Sequence, residues 1–92
     1  MKYGYISYGN TTPEWMGLTW EQRREKLAKI KKEAEKHGFK LIMWGGPFGV
    51  SEGTVCVYES EKCLEDYFAM TQAVQHPMTN PRTNIVLQPL EF

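Results

Sequence analysis

Leu41-Ile42-Met43-Trp44, then Gly45-Gly46-Pro47-Phe48-Gly49-Val50-Ser51-Glu52-Gly53, then Thr54-Val55-Cys56-Val57-Tyr58-Glu59-Ser60 is the stretch that decides how this chain folds. Two runs rich in β-branched and aromatic residues, joined by a glycine-rich connection, read as neighbouring strands of one antiparallel pair. The connection is too long for a two-residue hairpin turn and is expected to project as a mobile tongue, either a lid or a dimer-clasping arm. It leads into a strand and lacks the Gly-Lys-Ser/Thr ending, so it does not read as a phosphate-binding loop.

Both flanks of the pair carry helical patterns. Upstream, Thr19 with Gln22 three places later is a capping box. Trp20, Leu27, Ile30 and Ala34 then share one stripe, with Arg23 inside it, and Gly38 after His37 should end the helix in the left-handed conformation. Arg23 is expected to snorkel or to reach a carboxylate across an interface. Downstream, Ser60 reads as a cap, Glu61, Glu65 and Asp66 suit the helix dipole, and Leu64, Tyr67, Phe68, Thr71 and Val74 form the buried stripe before Pro77. Outside the helices, Lys2 to Tyr8 alternates as a first strand and Asn84 to Leu90 as a last one, after a turn-rich segment from Met78 to Thr83. Trp15 and Met16 lie in a connection after Pro13, where large apolar residues usually cover a core or a cavity mouth.

The order strand, helix, strand, strand, helix, strand predicts an α+β, ferredoxin-like βαββαβ fold: a four-stranded antiparallel sheet with two helices on one face. Right-handed crossovers place the third strand between the first and second, and the first between the third and fourth. Ile6, Val55, Val57, Ile85 and Leu87 form the aliphatic set expected beneath the helices. Tyr3, Tyr5, Ser7, Thr54, Cys56, Tyr58, Asn84, Val86 and Gln88 are then expected on the open face.

With 92 residues the chain reads as one domain, 1–92, holding one modest core. No apolar run approaches a membrane span and the N-terminus lacks the apolar core of a secretory signal, so a cytoplasmic location is expected. Cys56 and Cys63 are the only cysteines and read as free thiols; no metal site is expected from them and the two histidines. Net charge is zero, but Trp20 to Lys40 holds eight Lys/Arg against four Glu, a solvated basic face or a surface for an anionic partner. No Ser-His-Asp set or close carboxylate pair appears, and Cys56 reads as a packed thiol.

Tyr3, Tyr5, Ser7, Cys56, Tyr58, Asn84 and Gln88, with Trp15, are the candidate ligand-binding residues, because aromatic walls with a few polar groups make small-molecule sites. A subunit interface has the same composition, and the two readings stay open. Exposed rings on central strands are also what RNA-recognition sheets use. Gly53 to Tyr58 lacks the Arg/Lys and first aromatics of that motif, so nucleic acid is not expected.

The element order, the Tyr-rich first strand, the strand after Gly38-Phe39, the Thr54-Val55-Cys56-Val57-Tyr58-Glu59 strand and the closing Arg82-Thr83-Asn84-Ile85-Val86-Leu87-Gln88-Pro89-Leu90 resemble the dimeric α+β barrel superfamily. The ending is similar to that of the small GYD-type domains, although Val50-Ser51-Glu52-Gly53 stands where their Gly-Tyr-Asp would be. The resemblance implies a homodimer with open sheet faces turned toward one another around a pocket for a small apolar or aromatic molecule. In some small oxygenases of that superfamily an Asn, a Trp and a late-helix His handle haem or an oxidisable substrate. Asn10, Trp44 and His76 are loosely similar, which makes a cofactor-light or haem-linked monooxygenase the alternative, with no cofactor expected under the leading reading. A structural or regulatory oligomer without catalysis is the third.

Overall fold

The computed structural model describes residues 2–87. Its elements are β1 (Tyr3–Thr11), α1 (Pro13–Met16), α2 (Trp20–Lys36), β2 (Lys40–Gly45), β3 (Thr54–Ser60), α3 (Leu64–Ala73) and β4 (Met78–Val86). The four strands form one sheet in the order β2-β3-β1-β4, and all three pairings are antiparallel. This is the ferredoxin-like arrangement that the element order predicts.

Local chemistry explains where the elements begin and end. Thr19 Oγ1 accepts from the Gln22 backbone N–H at 3.2 Å and Gln22 Oε1 accepts from the Thr19 N–H at 2.9 Å, which closes the capping box of α2. Gly38, at φ +85°, ends that helix, and Phe39 behind it is fully buried. The connection holding Trp15 folds into the short helix α1, with Thr12 as cap and Pro13 in its first turn. Ser60 does not cap α3. Its hydroxyl donates to the Gly38 carbonyl at 2.6 Å and accepts from the Lys62 N–H at 3.0 Å, so it ties the end of β3 to the α2 terminus, and Cys63 holds the cap position.

β4 begins at Met78, six residues before the strand expected at Asn84. Pro81 inside it is tolerated because β4 lies at the sheet edge, and a bulge between Tyr8 and Asn10 absorbs the register shift opposite. The tongue between β2 and β3 is tied back by an ion pair from Glu52 to Arg82, whose guanidinium lies 4.3 Å over the Tyr8 ring.

On β1 and β3 the faces of the sheet are the reverse of the expected assignment. Tyr5, Cys56 and Tyr58 form the core together with Ile30 and Ala34 of α2 and Tyr67 and Met70 of α3, so the tyrosine face is the one the helices cover. Tyr5 stacks on Tyr67 with ring centroids 4.6 Å apart, and Phe39 meets both rings edge-on. Burial of these phenols is affordable because each finds a partner. Tyr5 donates to the Lys62 carbonyl at 2.5 Å, Tyr58 bonds His76 at 2.6 Å and Tyr67 bonds Ser7 at 2.6 Å. Among the described residues no buried side-chain nitrogen or oxygen lacks a partner.

Ile6, Val55 and Val57 lie on the opposite, open side, where Met43 pairs with Val57. On β4, Ile85, Asn84 and Val86 keep their expected sides, so Ile85 shares the helix side with the tyrosines. Ile85 pairs with Tyr5 and Thr83 with Ser7, on the helix side, while Asn84 and Val86 pair with Ile6 and Gly4 on the open side. The stripe of α3 is rotated as well: Tyr67, Met70 and the following Val74 are buried, whereas Leu64 and Phe68 are exposed.

Candidate functional site

Between α3 and the β1, β3 and β4 strands lies a cavity of about 450 Å³. Its size is in the range of small-molecule sites. Leu64, Phe68 and Thr71 come from successive turns of α3, Met78, Thr83 and Ile85 from β4, and Ser7 and Cys56 from the central strands. Leu64 and Phe68 stand at its mouth because the i, i+4 spacing puts them on one helix face, one turn away from the buried Tyr67.

The polar part of the cavity is a hydroxyl cluster. Ser7 Oγ shares hydrogen bonds with Tyr67 Oη at 2.6 Å and with Thr83 Oγ1 at 2.7 Å. The two bonds take two of the three hydroxyl protons, and Tyr67 also hydrogen-bonds the Cys56 side chain, so the cluster meets a ligand as hydroxyls that can both donate and accept. Burial raises the pKa of Tyr67, which therefore stays a neutral phenol. Burial likewise pushes the Cys56 thiol up to about 12, so it is a packed, protonated group and not a nucleophile.

His76 follows α3 in the segment leading to β4 and lines the same cavity. Burial lowers its pKa, opposed by a backbone hydrogen bond with Val74. That bond favours the charged imidazole, so it is one in which a ring N–H donates to the Val74 carbonyl. The other nitrogen, Nε2, then accepts from the Tyr58 hydroxyl at 2.6 Å, whose own pKa is raised by burial. The imidazole also lies flat on Trp44, with centroids 6.0 Å apart and planes within 4°.

The sequence-derived candidates divide among several places. Ser7 and Cys56 line the cavity; Tyr5 and Tyr58 are core rings, with Tyr3 half-buried beside them. Trp15 belongs to a second cavity, and Asn84 is exposed on the open face. Gln88 lies outside the described residues. Of the Asn10, Trp44, His76 set, the fold joins Trp44 to His76 but leaves Asn10 exposed at the bulge of β1. Leu64, Tyr67, Phe68, Thr71, Gln72, Met78, Pro81, Thr83 and Ile85 are the lining residues that were not singled out as a site. Leu64, Tyr67, Phe68 and Thr71 stood in the expected helix stripe, and nothing in the spacing distinguished a cavity wall from a core.

No family model matches the chain, and no curated protein is similar to it at a significant level. Solved structures do match. Chlorite dismutase from Candidatus Nitrospira defluvii in complex with imidazole aligns with a TM-score of 0.63 at 18% identity over 91% of this chain and 39% of that one. A crystal structure assigned as a second chlorite dismutase gives 0.61 at 18% identity over 95% and 44%. The likeness is one of fold, a four-stranded antiparallel sheet with its helices on one face, and the chain spans about two-fifths of the length of these proteins.

Proposed function

We propose that this chain is the subunit of a homodimer and that each subunit binds a small, partly aromatic molecule in the cavity between the sheet and α3. The observation that carries this reading is the pairing of the Ser7, Tyr67, Thr83 hydroxyl cluster with an apolar wall of Leu64, Phe68, Met78 and Ile85. Apolar walls supply affinity by burying a ring, and the hydroxyl cluster orients one polar group of the ligand. A phenol or a small aromatic ketone fits that chemistry. The dimer is supported by the open side of the sheet, where Ile6, Val55, Val57, Met43 and Val86 put an apolar surface opposite the helices. An apolar face of this kind is the sort of surface that a second copy covers.

A second reading is catalytic and rests on His76, a neutral imidazole on the cavity wall. To accept a proton from a ligand it would give up its bond to Tyr58. The same bond argues against haem. An axial histidine needs a free ring nitrogen, while His76 Nε2 is engaged by a buried phenol and the other nitrogen faces the Val74 backbone. His76 as arranged does not offer that group an axial nitrogen. Chlorite chemistry belongs to the structural neighbours, and at 18% identity the likeness to them is one of fold.

The experiment is a calorimetric titration of the full chain with p-cresol and with toluene. The two share a ring and differ by one hydroxyl, so p-cresol should bind about three- to tenfold more tightly, the worth of one net hydrogen bond. No binding of either, or equal affinity, contradicts the proposal.

A further inference from the structure

A second cavity, of about 500 Å³, lies beyond Trp44. Trp44 forms part of its wall, while its ring stacks on His76 of the first cavity. Trp15 and Trp20 complete a set of three indoles, and Arg23 and Arg24 supply two guanidinium groups. Among the described residues no carboxylate lines the cleft.

We infer that this cleft binds a planar aromatic carboxylate, held by its ring against the indoles and by its anion on the arginines. Arg23 is already aimed. Its Nε donates to the Trp15 carbonyl at 3.2 Å and its Nη2 to the Met16 carbonyl at 3.1 Å, and its guanidinium lies 5.0 Å from the Trp20 ring centroid and 5.7 Å from that of Trp15. These partners are neutral. Among the described residues neither Arg23 nor Arg24 forms an ion pair, so both positive charges remain to be met. Guanidinium groups bind carboxylates through paired N–H donors, and α2, with seven Lys/Arg against four Glu, carries a surplus of three positive charges into the local field.

The aromatic half of the argument is Trp20. This indole is 72% exposed at the start of α2 and stands outside the core cluster. An exposed indole beside Trp15 and Arg23 is a ready stacking platform. Opposite it, the Gly45–Gly46 corner leaves the rim bare: a Cβ at Gly45 would meet nothing within 4 Å. A bicyclic acid can therefore enter over backbone alone.

The test uses 1-naphthoate and its neutral counterpart 1-naphthylmethanol, titrated into the full chain by tryptophan fluorescence. Naphthoate should quench the emission and bind roughly tenfold more tightly than the alcohol, as expected for a charge-assisted contact. Arg24→Gln should lose about that factor, Trp20→Leu should weaken both ligands, and Phe68→Ala in the first cavity should leave naphthoate affinity unchanged. Both Arg24 and Trp20 are exposed, so these variants keep the fold. No saturable binding, equal affinity for acid and alcohol, or sensitivity to Phe68→Ala but not to Arg24→Gln overturns the inference. Because the two cavities are probed by different ligands and variants, failure here leaves the p-cresol result standing, and the reverse also holds.

Discussion

Tyr58 Oη and His76 Nε2, eighteen residues apart in sequence, lie 2.6 Å from each other beneath the helices. The bond ties β3 to the segment between α3 and β4 and satisfies a phenol that is otherwise fully buried. It also holds the imidazole against Trp44, so one contact fixes the wall between the two cavities.

The state of His76 makes stability depend on pH. Burial lowers its folded pKa below the ordinary 6.5, so below about that pH the unfolded chain takes up a proton that the folded chain refuses. The stabilisation is fully present above pH 6.5 and is lost as pH falls toward the folded pKa. Urea melts of wild type and His76→Gln between pH 7.5 and 5 should converge as pH drops. A constant difference between the two contradicts this assignment.

The two thiols should differ in reactivity. Cys63 is exposed at the start of α3, whereas burial holds Cys56 protonated with a pKa of about 12. At pH 8 a disulfide reagent should modify one thiol per folded chain. Cys63→Ser should abolish the fast reaction and leave only a slow one that follows unfolding.

Tyr67→Phe removes one end of the hydroxyl cluster without changing the ring stack on Tyr5. The cost in stability should be about 1 kcal/mol. Its effect on ligands should be selective, narrowing the gap between p-cresol and toluene. Phe68→Ala, at the mouth, should instead weaken both ligands alike, because it removes apolar contact only. Paired calorimetric titrations separate the two patterns.

A charge at the centre of the open sheet face should separate the subunits. Val57 pairs with Ile6 and with Met43 there. Val57→Glu would bury a carboxylate without a partner in the dimer but leave it in water in the monomer. Sedimentation should report a dimer for wild type at micromolar concentration and a folded monomer for the variant. A wild-type monomer contradicts the proposed assembly.

Element order and strand order were legible because they follow from local signals: the Thr19 capping box, Gly38, and the β-branched run at Thr54. The choice of covered face was not. Period-two alternation shows that Tyr5, Ser7, Cys56 and Tyr58 share a side, but it cannot say which side the helices cover. The aliphatic set Ile6, Val55, Val57 was the natural core, and what overrode it was polar satisfaction: Lys62, His76 and Ser7 each supply a partner to one phenol. Those partners come from distant segments, so no window of sequence contains the signal. The early start of β4 was hidden for a similar reason. Pro81 and Asn80 read as a turn, and only an edge position makes them compatible with a strand. Of the cavity, Ser7 and Cys56 were legible as a polar pair among aromatics. Ile85 was legible as a residue beneath the helices, but its place beside Ser7 and Cys56, like that of Thr83, follows only from the pairing of Thr83 with Ser7 and of Ile85 with Tyr5.

The measurement that tests this account most directly is the set of nuclear Overhauser contacts between bound p-cresol and the protein's methyl groups. The ligand should contact Leu64, Met78, Thr83 and Ile85, all on the helix side of the sheet, and should contact none of Ile6, Val55 and Val57. Contacts to those three residues instead, with none to Leu64 or Ile85, would place the ligand on the other face and contradict the site described.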